Sequence, residues 1–311
     1  MSNAVSRAGA GYQGDPFAAE LPLMLITPAL FAANLIVARW AQGVGIPPVF
    51  LAFGRWALAF AILLPSCGPR MWALRHTLRA NWQRIVLLGG LGMGMAVAPQ
   101  YVGARHTSAA NVGIILAACP ALVTLIETVV WKAPLARRQA GGLCLAILGV
   151  LVVLAKGDIA ALGQLEFGRG DLWVVLAACG WSLYTVFNKR LPLPPLPGTV
   201  KLAALIGGGA LVLAPFAVAE AARGNVADFA DGRLYVALAF LAVVPSLGAY
   251  FFFDRLVAAA GPARASLTVY LIPLFATLAA WPMLKEPPHW YHAAGFGIIL
   301  AGVVGASVRR R

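Results

Sequence analysis

Residues 119–134 read CPALVTLIETVVWKAP, and residues 272–287 read IPLFATLAAWPMLKEP. Without a gap, an offset of 153 aligns Pro120 with Pro273, Thr124 with Thr277, Leu125 with Leu278, Lys132 with Lys285 and Pro134 with Pro287. The same offset aligns Gly142 with Gly295 and Gly149 with Gly302. Apolar composition alone readily matches alanine to alanine. It does not readily place three prolines or lysines and two glycines in one frame. Upstream the offset becomes 150, which matches Pro47 to Pro197, Pro65 to Pro215 and Arg39 to the similar Lys189.

The repeated unit is apolar throughout. Of 311 residues, 61% are hydrophobic and 11% are charged, and the mean hydropathy is +0.82. A soluble domain carries about 25% charged residues. The apolar runs recur at roughly the 20 residues that a bilayer-spanning helix needs. The pattern predicts an all-α polytopic membrane protein with ten helices, near 19–41, 47–66, 84–104, 108–131, 140–156, 171–190, 199–219, 233–257, 263–285 and 291–308. Pro47-Pro48, Gly68-Pro69, Gly157 and the prolines of 192–197 punctuate them. The first run continues at spanning length without a cleavage pattern, so it is read as a span and not as a leader.

Each copy holds five of these helices. Five is odd, so the second copy enters from the opposite face. Such inverted repeats recur in secondary transporters, with the substrate site near the midplane. The expected organisation is a cytoplasmic tail (1–18), a first repeat (19–156), an extracytoplasmic connection (157–170), a second repeat (171–308) and a basic tail (309–311). One side of this topology carries 16 of the 24 Lys and Arg residues and the other carries 7, with Arg55 inside a helix. Positive residues concentrate inside. Both termini are therefore expected in the cytoplasm, and the protein in the inner (plasma) membrane.

The net charge of +13 does not indicate nucleic acid. Its basic residues stand at span ends, not in a stripe interleaved with aromatics. The four cysteines are isolated and read as packing residues. The four histidines lie near span ends without metal-ligand spacing and read as interfacial. No HExxH, GxSxG or paired carboxylates occur, so no catalytic residue, metal or cofactor is expected. The glycine-rich stretches at 87–96 and 206–211 lack the strand and the GK[ST] of a phosphate loop. They read as close helix packing.

Helical periodicity groups the polar and aromatic residues into stripes. Trp181, Tyr184, Thr185 and Asn188 share one face, and Asn34 lies on the matching face of the first helix. Ser266, Tyr270 and Pro273 share another, matched by Pro120. Ser246 and Tyr250 share a third, matched by Gln100. Rings with amides and hydroxyls suit an amphipathic solute. Substrate contact is therefore expected at Asn34, Gln100, Trp181, Tyr184, Asn188, Ser246, Tyr250 and Tyr270. Helix–helix packing is the alternative for each. Pro120 and Pro273 read as hinges or as shape-fixing kinks.

Two charges lie within apolar runs. Arg55 requires a structural partner, water or a substrate carboxylate. Glu127 reads as a gate residue, or as half of an ion pair with Lys132, Arg137 or Arg55. The small residues of GFGIILAGVVGA (295–306) suit packing inside the fold or a homodimer contact.

ARHTSAANVGIILAACPAL and GPARASLTVYLIPLFATL, each followed by a Lys-x-Pro segment and a Gly-rich last helix, resemble the drug/metabolite transporter superfamily, EamA type. FAANLIVAR, WSLYTVFNK and LKEPPHWYHAAGFGIILAGV carry the same resemblance over nearly the full length. The first copy departs from the pattern, with Ala133 where the second keeps Glu286. The chain as a whole is similar to the aromatic amino acid exporters of this family. The resemblance implies export of small amphipathic metabolites, aromatic and other apolar amino acids foremost, through a midplane cavity. A multidrug or nucleotide-related cargo, a membrane scaffold and a membrane enzyme stay open as alternatives.

Overall fold

The computed structural model describes residues 16–132, 134, 136–158 and 168–307, with side chains except at 16–20, 260–267, 269 and 303–307. The expectations for both extreme tails, most of the connecting loop, Ala133 and the side chain of Ser266 lie outside these residues. The first half forms α1 (Pro16–Gly43), α2 (Pro48–Ala73), α3 (Trp82–Gly103), α4 (Ala109–Trp131) and α5 (Arg137–Leu154). The second forms α6 (Arg169–Arg190), α7 (Gly198–Ala222) and α8, which comprises Gly232–Leu241, Ala242–Gly248 and Ala249–Thr268. It ends with α9 (Ile272–Leu284) and α10 (Trp290–Ser307). Among the described residues, eight helices are long and apolar enough to cross a membrane, and α9 is a shorter apolar helix.

Two helix breaks and two helix interiors differ from expectation. α2 runs through Gly68-Pro69 to Ala73. The break expected after 257 is helical, and the helix continues through Gly261-Pro262 to Thr268. The break falls instead at the 3₁₀ turn Val269–Leu271. α3 and α8 are also not plain α-helices. Each contains a π-helical turn, at Gly90–Met95 and Ala242–Gly248.

Positions 153 apart take similar local geometry. α4 is interrupted at Ala118, one residue before Cys119-Pro120, and α9 begins at Ile272-Pro273 after its 3₁₀ turn. Proline suits these first-turn positions because it has no N–H to leave unpaired. α4 and α9 both end on a lysine in the left-handed region, Lys132 with φ 50° and Lys285 with φ 57°. Their N–H groups donate to the carbonyls of Glu127 and Ala280, which closes each helix end.

α2 packs on α7, and α5 packs on α10. Small residues let the backbones of α5 and α10 meet. A Cβ at Gly149 would lie 2.7 Å from the Gly295 carbonyl oxygen, and one at Gly302 would lie 2.5 Å from that of Gly142. The 153-residue offset exchanges these two contacts. Gly295 and Gly302 of α10 are thus spent inside the chain. Trp72, Trp82, Trp173, Trp281 and Trp290 are exposed at or near helix ends, where an aromatic belt meets the bilayer interface.

Candidate functional site

A cavity of about 220 Å³ lies between α1, α2, α3, α4, α6, α8 and α9. Asn34, Arg55, Gln100, Trp181, Tyr250 and Pro273 line it, together with Phe31, Trp56, Phe253 and aliphatic residues. Phe31 meets Tyr250 edge-to-face with centroids 5.7 Å apart, so this wall is a continuous aromatic surface.

Arg55 is the charge of the cavity, and it is buried. An arginine at this depth is unfavourable by about 2.5–3.5 kcal/mol on insertion scales, so its contacts decide whether it is tolerated. Nε donates to Ser246 Oγ at 3.0 Å, and Nη1 donates to Tyr101 Oη at 2.6 Å and to Asn34 Oδ1. Tyr101 Oη in turn donates to Asn34 Oδ1 at 2.6 Å. The guanidinium also lies 4.2 Å from the Trp56 ring centroid, a cation–π contact of about 2 kcal/mol in a desolvated place. These acceptors are all neutral. Among the described residues Arg55 has no carboxylate partner.

The two π-helical turns hold this shell. Trp56 Nε1 donates to the carbonyl of Met93 in the first, at 2.8 Å. Ser246, within the second, donates to the Leu241 carbonyl at 2.7 Å while it accepts from Arg55. π-turns interrupt the ordinary ladder and often mark functional positions.

The other expected residues sit elsewhere. Tyr184 stands behind the wall, where a Cβ at Gly92 would meet its ring at 2.8 Å, and it packs 5.4 Å from Trp181. Ser246 is fully buried behind Arg55. Asn188 is outside the lining, and its Oδ1 is buried without a partner. Tyr270 packs on the cluster of Ile114, Ala117 and Ala121. Pro120 is exposed, whereas Pro273 lies against Gly113 where α9 crosses α4. Tyr101 and Trp56 were not among the expected contacts.

Among the described residues, two carboxylates, Glu127 and Glu286, form long-range ion pairs outside the cavity. Glu127 pairs with the end of α6, not with Lys132, Arg137 or Arg55. Lys189 Nζ lies 2.9 Å from Glu127 Oε1, and Arg190 Nη2 lies 3.7 Å away. The second pair is Arg39 Nε with Glu286 Oε1, at 2.7 Å. Arg39 Nη1 also donates to the Ala104 and Arg105 carbonyls, and Glu286 Oε2 accepts the first N–H of α4 from Ala109.

A separate polar cluster joins α4, α6 and α10. Thr107 Oγ1 donates to Asp171 Oδ1, and Asn111 Nδ2 donates to both. Asn111 Oδ1 lies 3.0 Å from His292 Nε2, while His292 Nδ1 accepts from the N–H of His289. That acceptance leaves the His292 proton on Nε2, as the neutral tautomer. All four side chains are buried. His292 is therefore not interfacial as expected. It turns inward because its ring can satisfy Asn111.

Comparison with known proteins bears on what this cavity serves. The model of the EamA-like transporter family matches residues 19–155 and again 168–308. The chain is 24% identical to the uncharacterized transporter YyaM of Bacillus subtilis over 92% of each chain. It is 26% identical to an S-adenosylmethionine/S-adenosylhomocysteine transporter of Chlamydia trachomatis, over 89% of this chain and 86% of the relative. It is 24% identical to a "probable terminal-alkyne amino-acid exporter" of Streptantibioticus cattleyicolor, over 90% and 94%.

Proposed function

The chain belongs to the EamA-like transporter family, and on that premise we propose that it exports small amphipathic metabolites, aromatic and other apolar amino acids foremost, by alternating access. It is a multi-pass membrane transporter and not an enzyme. The observation that carries the substrate reading is the cavity itself. Phe31, Tyr250, Phe253 and Trp181 offer rings for an apolar side chain, and Asn34, Arg55 and Gln100 offer a polar pole on α1, α2 and α3.

Two observations support two inverted five-helix repeats. The family model matches twice, and the broken helices and left-handed lysines recur 153 residues apart. With the more basic side inside, both termini lie in the cytoplasm of an inner-membrane protein. Arg39 and Lys189 are equivalent in the repeats. Their ion pairs then stand at opposite ends of the path as extracytoplasmic and cytoplasmic gates. Opening one while the other holds is alternating access.

A second reading, a nucleoside-derived cargo, rests on the Chlamydia trachomatis relative. The volume of about 220 Å³ favours the smaller solute, since pockets for drug-sized ligands measure roughly 300–1,000 Å³. S-adenosylmethionine and a terminal-alkyne amino acid share an α-amino acid head, whose carboxylate suits the Arg55 pole in either case.

The test is uptake of labelled phenylalanine by purified protein in proteoliposomes, with S-adenosylmethionine as competitor. Saturable uptake that falls several-fold in Trp181→Ala is the expected result. Saturable flux of neither compound would remove the reading.

A further inference from the structure

We propose that Arg55 and Gln100 form the recognition site for an anionic group, and that a carboxylate is the feature a cargo must have, while its ammonium is dispensable. This rests on the reading of the cavity as a substrate site and goes further, because it fixes the charge class of the cargo.

Three observations carry it. First, Arg55 is a permanent cation, 3% exposed, with its described bonds on Nε and Nη1 and none on Nη2. Its contacts hold the guanidinium in place but do not neutralise it, so its field acts on whatever enters an apolar, low-dielectric cavity. Second, Gln100 is 4% exposed and lines the same cavity, and its Nε2 is buried without a hydrogen-bond partner. A buried amide donor with nothing to donate to is unfavourable and becomes useful only when an acceptor arrives. Third, among the described residues no acidic side chain lines the cavity. A cationic cargo would meet Arg55 with nothing to offset the repulsion, whereas a carboxylate would accept from both donors.

The geometry also explains the neutral shell. A carboxylate paired permanently with Arg55 would occupy the guanidinium and cancel its field. Asn34, Tyr101 and Ser246 orient it through neutral acceptors and leave one edge for the cargo.

Three ligands test this: phenylalanine, 3-phenylpropanoate, which lacks the ammonium, and 2-phenylethylamine, which lacks the carboxylate. Binding of labelled 3-phenylpropanoate to the purified full chain in detergent is measured with each of the others as competitor. The expected result is saturable binding, with the amine at least tenfold weaker as a competitor than unlabelled 3-phenylpropanoate. Gln100→Leu, which keeps the bulk and removes the donor, should weaken 3-phenylpropanoate about tenfold, the value of one hydrogen bond to a charged group. Binding of 3-phenylpropanoate without flux of any amino acid would keep the anion site and remove the amino acid reading. An amine that competes as well as 3-phenylpropanoate, or no saturable binding of 3-phenylpropanoate, would overturn the proposal.

Discussion

Lys189 Nζ donates to Glu127 Oε1 across 2.9 Å, joining the end of α6 to α4. The 150-residue offset aligns Lys189 with Arg39, whose own partner, Glu286, follows α9. The first copy has Ala133 where the second has Glu286. Glu127, nearly two turns earlier in sequence, supplies the carboxylate for Lys189.

The two pairs differ in strength, and that predicts which end opens more readily. Lys189 is 70% exposed and makes a single hydrogen bond to Glu127, and Arg190 Nη2, also exposed, lies 3.7 Å from the same oxygen, so each of these surface pairs contributes about 0–1 kcal/mol. The Arg39–Glu286 pair adds bonds to two carbonyls and to the N–H of Ala109, and charge-assisted bonds contribute about 1.5–3 kcal/mol each. Cys119 lines the cavity and can report access as the sole cysteine once Cys67, Cys144 and Cys179 are replaced. Impermeant maleimide should label it faster from the Lys189 end. Glu286→Gln should shift labelling toward the Arg39 end. Labelling from one end only, unchanged by Glu286→Gln, would contradict the gating account.

Tyr101→Phe removes the hydroxyl that accepts from Arg55 and donates to Asn34. The variant should lose about 1–2 kcal/mol of stability and bind substrate several-fold more weakly, because Arg55 is less firmly aimed. Thermal unfolding in detergent, run with and without ligand, checks both effects.

Close packing of α5 on α10 makes Gly149 intolerant of a side chain. Gly149→Val forces its branches toward the Gly295 carbonyl and Ile299 and should destabilise by about 1–3 kcal/mol. Gly297 on the same helix pair has nothing within 4 Å of an added Cβ, so Gly297→Ala should be neutral. Equal unfolding midpoints for the two variants would refute this packing.

Asp171→Leu leaves Thr107 and Asn111 without their shared acceptor at the junction of α4, α6 and α10. Buried donors left unpaired cost about 1–3 kcal/mol. The unfolding midpoint should fall, and Asp171→Asn, which keeps an acceptor oxygen, should recover most of the loss.

Much of this organisation was legible in the sequence, and the misses have physical causes. Prolines and glycines set the interruptions at Pro120 and Pro273 and the contact between α5 and α10, because those residues act through the local backbone. Periodicity brought Asn34, Gln100, Trp181 and Tyr250 to one cavity. It missed Tyr101 because a 3.6-residue period sets Gln100 and its neighbour about 100° apart, and the π-turn at Gly90–Met95 alters the register before them. The glycines of that turn were visible, but their meaning was read only as packing. Ser246 is fully buried behind Arg55, and Tyr270, half-buried in the 3₁₀ turn that breaks the expected helix, packs on Ile114, Ala117 and Ala121 and not on the cavity. The partner of Glu127 required knowing that α4 crosses α6, which no local pattern encodes.

Solute counterflow tests the central claim most directly. Proteoliposomes loaded with unlabelled phenylalanine are diluted into a trace of labelled phenylalanine, with no ion gradient. A carrier that exposes one cavity alternately to each side will accumulate label transiently above its equilibrium level, and Trp181→Ala will reduce the overshoot. Label that rises only to equilibrium, with the same time course in empty liposomes, would contradict the account.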